Sequence, residues 1–574
     1  MPVRQGDQLP QDGRLSVDRE KLNGNDTAAT NGAPNTPDAG TVEQINLSDF
    51  MITGRELLTK RGSEKSRRED EVRQDLVHQR LFFYSIETFS RNKSGPIAEF
   101  SYLVADEGLN EIEGRSGRFL MALPPDVLPD PVCAAAARIS PSEAQRTGLR
   151  ENEFAEKILS VLPRGDFIRI GWNNVGFTDE RLRALLFRTF HDPYLSGLDG
   201  YERSRFDLRI FTGTVFTLRP GIIAEPQGKN ILSLTELAKA NGIETGLKPR
   251  MMLELMRLYK EKLPKMLSFY MGLRTKAAMS QYLKKQSLRW IQIVTYATWD
   301  GKLLAIPAMP LGPITGKGPD SGRWLMLSLA GEPSKYILNP SLLDDEETES
   351  DVESLGTGED ESSADTGSAG TSPGNKTEVQ LPEPSGLGKY GLFLLSPNRC
   401  PAVAPIATLS EERAAELGVS VKKAQANYMA YREDWESSMS AVRLILKKAL
   451  AEKNRQMRDR FLTLPPEERL YQGFIPAGDK DRETMLHRME RTNPANVKKL
   501  RFSDERLNGM LFAYIGRNLP ETLTEDELAD WKNYCDERIE EQLPEFRKRC
   551  EEALRRFSGD EKALAILHEF EIEQ

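Results

Sequence analysis

Apolar positions along the chain fall into three stretches with different rhythms. From about Val77 to Leu263, short β-rich runs ("RLFFYSIETF", "AEFSYLVAD", "FIRIGW") alternate with runs of helical spacing ("ENEFAEKILSVL", "DERLRALLFRTF", "LTELAKA"). That alternation predicts an α/β domain over residues 76–263. From Pro264 to Pro405 a helical start gives way to strands separated by turn residues: "WIQIVTYATW", "KLLAIPAMP", "RWLMLSLAG" and "YGLFLLS". This is the pattern of a small barrel over residues 264–405. From Ile406 to the end, helical periodicity dominates, as in "SMSAVRLILKKALAEKNRQMRDRFL" and "TEDELADWKNYCDERIEEQL". An all-α domain is predicted over residues 406–574.

Two segments break this pattern. Residues 1–75 are rich in Asn, Gly, Pro, Asp and Thr, and cannot bury enough apolar surface to order themselves. A second low-complexity stretch, residues 344–376, is acidic and rich in Ser and Gly. It reads as a disordered insertion in the strand-rich domain, and as a solvated spacer. The insertion changes the meaning of the net charge of −9: eleven acids and no base lie between Asp344 and Asp365, so the rest of the chain is close to neutral, with room for basic faces. No run approaches the roughly 18 apolar residues of a membrane span. The start lacks the apolar core of a secretion signal. The four cysteines, Cys133, Cys400, Cys535 and Cys550, form no C-x-x-C pair. A reducing cytoplasmic setting, without structural zinc or disulfides, is the expectation.

Several short strings occur in order: Glu87-Thr88-Phe89 on the first strand, "GWNNVGFTDE" (Gly171 to Glu180), "FRTFHDPY" (Phe187 to Tyr194), "SRFDL" (Ser204 to Leu208), "LRPGI" (Leu218 to Ile222) and "LAKANGIE" (Leu237 to Glu244). "LSLAGE", "NRCPAVAP", "LYQGF" and "GRNLPETLTEDELADW" follow in the later stretches. Together they resemble bacterial exonuclease I, a 3′→5′ single-strand DNA exonuclease of the DEDD superfamily. The resemblance implies an RNase H-like exonuclease domain, an SH3-like β-barrel and a helical domain around a groove for single-stranded DNA. Such an enzyme hydrolyses phosphodiesters with two divalent metals held by four carboxylates, and a histidine serves as general base.

This chain departs from that pattern in all three motifs. Residues i and i+2 of a strand face one side, so the first motif needs two carboxylates there. Glu87 is present, but Ser85 stands at the aspartate position. In the second motif Thr178 replaces aspartate; Thr178 suits an N-cap, with Asp179 and Glu180 at the positive end of the helix. In the third, no histidine lies between His191 and His487, and the final aspartate falls near Leu253, with Glu254 adjacent and Lys248 and Arg250 close by. Tyr259 lies too late to act as a substitute base. These replacements predict a degraded site, a pseudoenzyme needing no cofactor, with Lys248 and Arg250 neutralising the pocket or holding a DNA phosphate. The alternative is an active Mg²⁺-dependent exonuclease using Glu87 with Asp179, Asp207 or Glu254 as relocated ligands. A third reading is a protein-interaction subunit that does not bind DNA.

Between Arg274 and Trp290 the chain carries Arg274, Lys276, Lys284, Lys285 and Arg289 with no acid, interleaved with Tyr282 and Trp290. Cations pair phosphates and aromatics stack bases, so this segment, with Lys248 and Arg205 of "RSRFDLR", is the expected single-strand contact. The resemblance places Arg219, Phe269 or Tyr270, and Arg432 where the family holds the acidic C-terminal tail of single-strand DNA-binding protein, although Pro405 stands where a polar residue is expected. "GPITGKG" (Gly312 to Gly318) fails the phosphate-loop spacing and reads as a hairpin loop. The four histidines form no ligand pattern. A cytoplasmic, nucleoid-associated monomer with no membrane contact, acting in DNA repair or recombination, is the expectation.

Overall fold

Leu81 and Phe83 point to one side of the first strand, β1 (Arg80–Thr88), and Phe82, Tyr84 and Ile86 to the other; all five are buried. A strand apolar on both faces belongs at the centre of a sheet covered on both sides. The computed structural model describes residues 80–163, 167–195, 204–228, 230–298, 301–316, 318–343 and 386–570. The segments 1–75 and 344–376 lie outside them. Strands β2 (Ile97–Ala105), β3 (Glu111–Leu120), β4 (Phe167–Gly171) and β5 (Arg205–Asp207) complete a mixed sheet ordered β3-β2-β1-β4-β5. The β1, β2 and β3 neighbours are antiparallel, whereas β1, β4 and β5 run parallel.

Parallel neighbours need crossovers, and helices supply them. Helices α1 (Glu151–Val161) and α2 (Asp179–Arg188) pack Phe154, Ile158, Leu182 and Leu185 against the Phe82 and Tyr84 face. Helices α3 (Leu208–Leu218) and α4 (Lys248–Lys262) cover the Leu81 and Phe83 face with Phe211, Val215, Met252 and Met256. Strands β3 and β5 escape the hydrophobic pattern. β3 is a polar edge strand, largely exposed, and β5 has only 3 residues.

Helices α5 (Pro264–Gly272) and α6 (Lys276–Gln286) lead into a second sheet, wholly antiparallel. It comprises β6 (Gln292–Ala297), β7 (Leu303–Pro313), β8 (Trp324–Ser328), β9 (Leu392–Leu395) and β10 (Ala402–Pro405), in the order β10-β6-β7-β8-β9. The Gly312–Gly318 segment joins β7 to β8, as its failed phosphate-loop spacing suggests. One face of the sheet packs Val294, Ile306 and Phe393 on Met279 and Leu283 of α6. The other packs Met309 and Leu327 on Ala424 and Tyr431 of α7 (Val421–Glu433) and on Val442 and Ile445 of α8 (Trp435–Thr463).

The remaining long helices are α9 (Ala477–Thr492), α10 (Glu505–Asn518) and α11 (Glu525–Arg556). Phe187 and Phe190, at the end of α2, insert among Leu486, Phe502, Leu507 and Tyr514. Arg517 of α10 donates to Asp126 at 2.6 Å in the same junction, and Arg188 pairs with Glu151 at 2.6 Å. The four cysteines are free, and no described helix is long and apolar enough to cross a membrane.

Gly516 lets α10 approach α11 closely: a Cβ there would lie 2.3 Å from Trp531 Cδ2. Gly516→Ala should therefore lower stability by about 3 kcal/mol, the upper range for overpacking. A drop in Tm checks this; an unchanged Tm would mean that Trp531 yields without cost.

Candidate functional site

The alternation of β1 divides its chemistry between two faces. Ser85 and Glu87 lie on the side covered by α4. Pairing with β2 sets Ser101 opposite Ser85 and Glu99 opposite Glu87. Glu99 is a second carboxylate that the sequence pattern did not single out, because only strand register brings it beside Glu87. Lys248, the first residue of α4, pairs its ammonium with Glu87 Oε1; the two side chains are 35% and 21% exposed. A cation in a helix's first turn faces the positive end of the macrodipole, and α4 has no acid there, so Glu87 supplies the compensation. Burial raises the Glu99 pKa, and Glu87 adds to the effect, while Arg118, Nη2 at 2.8 Å, and Lys248 oppose it. The result is a charge-balanced group of two carboxylates and two cations. Arg250 lies apart from it, paired with Glu111 at 2.9 Å.

Asp179, expected as a relocated ligand, belongs to the other face. It accepts the Tyr84 hydroxyl at 2.5 Å and pairs with Arg205 at 2.6 Å. Tyr84 points away from Ser85 and Glu87, so the one-residue shift from Thr178 carries the carboxylate to the wrong side of the sheet. Arg205, expected at the DNA, is only 2% exposed and also donates to the Asn398 carbonyl at 2.7 Å, which leaves it no surface for a phosphate. Thr178 makes no side-chain capping bond; a π-helical turn, Asn174–Thr178, runs directly into α2 instead.

The other candidate ligands have structural duties. Glu254 pairs with Arg257 at 2.6 Å, and Arg257 in turn donates to the Leu109 carbonyl. Asp207 caps α3 and accepts the backbone N–H groups of Asn173, Val175, Arg209 and Ile210. Burial raises its carboxyl to about 6 against the effect of those bonds. Tyr259 is buried with its hydroxyl on Thr212 at 2.6 Å, and burial pushes its pKa up; it is a core residue.

The basic segment divides in the same way. Tyr282, expected to stack bases, is buried and donates to Gln292 at 2.6 Å. Arg274, half-buried, donates to Ser204 Oγ at 3.0 Å and to the Met271 carbonyl at 2.7 Å. Lys276 is exposed. Lys284, Lys285 and Arg289 line an open cleft of about 1040 Å³ together with Arg432, Tyr428 and Trp290, and Trp290 is 42% exposed. Arg432, expected in a partner pocket with Arg219, thus joins the basic segment: it donates to the Leu288 carbonyl at 3.2 Å and faces Tyr428 and Trp435. Arg219 donates to the Leu218 and Thr408 carbonyls, and Phe269 packs edge-on against Tyr270 and Tyr282.

Two histidines meet in space without a pattern in sequence. His191 and His487 stack with centroids 4.0 Å apart and 30° between planes, with Glu156 nearby. Both nitrogens of His487 are engaged, by Glu490 and by the Phe190 carbonyl, and stacked rings aim their lone pairs nearly parallel. Burial, followed by His487, lowers the His191 pKa to about 3. This is a packed junction in which His191 serves a structural role, as expected.

A family profile described as the exonuclease I C-terminal domain matches residues 465–572. Exodeoxyribonuclease I of Haemophilus influenzae is 26% identical over 501 residues, covering 85% of this chain and 97% of that protein. The chain is similar to exonuclease I over most of its length. The fold of Escherichia coli exonuclease I, solved in complex with a dA16 oligonucleotide, superposes with a TM-score of 0.65 at 24% identity, covering 85% of this chain and 98% of that one. A solved complex of exonuclease I with an SSB C-terminal segment gives a TM-score of 0.65 at 23% identity, covering 86% and 97%. The chain therefore carries that fold.

Two substitutions separate the faces of β1. Lys248→Met removes the cation between Glu87 and incoming metal, and should raise Mn²⁺ affinity at least about tenfold, as expected for losing one close, half-exposed charge; calorimetric titration checks it, and unchanged affinity would deny Lys248 that role. Asp179→Ala strands a buried arginine and should cost about 3–5 kcal/mol in stability without changing Mn²⁺ affinity. A loss of metal binding in a folded Asp179→Ala chain would return Asp179 to the ligand set.

Proposed function

We propose that this chain binds single-stranded DNA in an exonuclease I-like groove and does not hydrolyse it by the two-metal route. The observation that carries this reading is the Lys248–Glu87 ion pair. Two divalent metals need several oxygen ligands. At Glu87 the donors are one carboxylate paired with an ammonium, one carboxylate held by Arg118, and the neutral hydroxyl of Ser85. That donor set does not fit a two-metal centre, and no catalytic step is assigned to it. Asp179 and Glu254, the proposed replacements, are committed to Arg205 and Arg257.

The mixed sheet is proposed as the RNase H-like exonuclease domain, residues 76–263, the antiparallel sheet as the SH3-like barrel, 264–405, and residues 406–574 as the helical domain. Exonuclease I has been solved with dA16 and with an SSB C-terminal segment, and both ligand classes are proposed for this chain. Lys276, Lys284, Lys285, Arg289 and Arg432 are the exposed cations that support single-strand binding. Arg219 and Phe269 support a separate contact for the acidic SSB tail. The setting proposed is cytoplasmic and nucleoid-associated, as a monomer, in DNA repair or recombination.

Binding of oligo(dT) measured against salt tests this reading. The log-log slope should be negative, at about −0.7 per phosphate contact, and Lys284→Glu/Lys285→Glu/Arg289→Glu should flatten it by about 2. No binding at low salt would remove the DNA role and leave a protein-interaction subunit.

A further inference from the structure

We propose that the acidic segment Asp344–Asp365 of this chain docks in the cleft lined by Lys284, Lys285, Arg289 and Arg432. The cleft brings these four cations together with Trp290, Trp324 and Tyr428, and among the described residues no carboxylate lines it. Among the described residues Lys284, Lys285, Arg289 and Arg432 form no ion pair, whereas around Glu87 Lys248 pairs with Glu87, Arg118 with Glu99 and, farther off, Arg250 with Glu111. Unpaired like charges in one concavity repel each other and concentrate positive potential, which an anionic occupant relieves.

The chain carries such an occupant at a suitable point. Asp344–Asp365 holds eleven acids and no base. Leu343, immediately before the segment, and Leu387, beyond its far end, are buried in one apolar cluster, against which Leu288 and Tyr428 of the cleft also pack. Both ends of the tether therefore lie in the cluster that underlies the cleft. An extended chain reaches at most about 3.3–3.6 Å per residue, so the segment needs only a few residues to arrive. Individual exposed ion pairs are weak, but a short covalent tether supplies an effective concentration in the millimolar range, where several weak pairs together suffice. The acids present the cleft with the charge, though not the bases, of a nucleic-acid strand. Competition with single-stranded DNA for the cleft rests on the function proposed above; the docking itself does not.

The test uses no DNA. A fluorescein-labelled peptide of residues 344–365 is titrated into the intact chain and into a full-length chain whose eleven acids are replaced by asparagine or glutamine. The neutralised chain should bind the peptide at least about tenfold more tightly than the intact chain, whose cleft is already filled, and binding should weaken as salt rises. Lys284→Glu/Lys285→Glu/Arg289→Glu in the neutralised chain should abolish it. Equal binding to both chains, binding to neither, or binding that survives the charge reversal would overturn the proposal. Zero-length carboxylate–amine crosslinking of the intact chain gives a measurement independent of any variant's folding: crosslinks from the segment to Lys284 or Lys285 are expected, and their absence overturns the docking.

Discussion

Arg205 carries a full positive charge into the interior between the two sheets, and Asp179 is what makes that position tenable. Burial by itself lowers the arginine's pKa; the carboxylate at 2.6 Å more than offsets this and holds it above its ordinary value. The same carboxylate takes the Tyr84 hydroxyl, and the guanidinium reaches the Asn398 carbonyl. One ion pair thus joins β1, α2, β5 and the segment that leads to β10. Next to it, Glu180 receives Arg183, Arg399 and Tyr471, tying α2 to the second sheet and to the helical region. A buried pair is costly to break from either side, so Asp179 is not available to a metal.

That commitment decides what the opposite face can do. With Asp179 on the Tyr84 side, the carboxylates that the β1–β2 register brings together on the other side are Glu87 and Glu99, and each already has a cation. Two-metal hydrolysis depends on clustered negative charge that a divalent ion neutralises. Here lysine and arginine neutralise it instead. The fold and its basic cleft do not depend on the charges around Glu87, so the proposed DNA binding does not require hydrolysis.

The central strands and helices were legible because burial on one or both faces imposes a period on the sequence; β1, β2, β4 and β6 to β9 show it, whereas the four-residue edge strand β10 does not. Edge strand β3 and the three-residue β5 were not legible, since neither needs an apolar pattern. Within the site, the resemblance singled out Glu87, Ser85, Thr178 and Lys248, and the structure pairs Lys248 with Glu87. Glu99 could not be singled out, because its place depends on hairpin register rather than on any motif. Arg205 and Tyr282 were misread in one common way: a charged or polar-tipped residue was assigned to the surface, when an internal partner (Asp179 for Arg205, Gln292 for Tyr282) lets it stay inside. Arg432 was placed with Arg219 by resemblance, and tertiary packing put it with Lys284 and Arg289 instead.

The most direct measurement is nucleotide release from 3′-ended single-stranded DNA in Mg²⁺ or Mn²⁺ by the intact chain, beside a Glu87→Ala control. The Lys248–Glu87 account predicts no release above that control in either metal. Release that disappears with Glu87→Ala would contradict it, and would show that Glu87 still binds a working metal despite its ammonium partner.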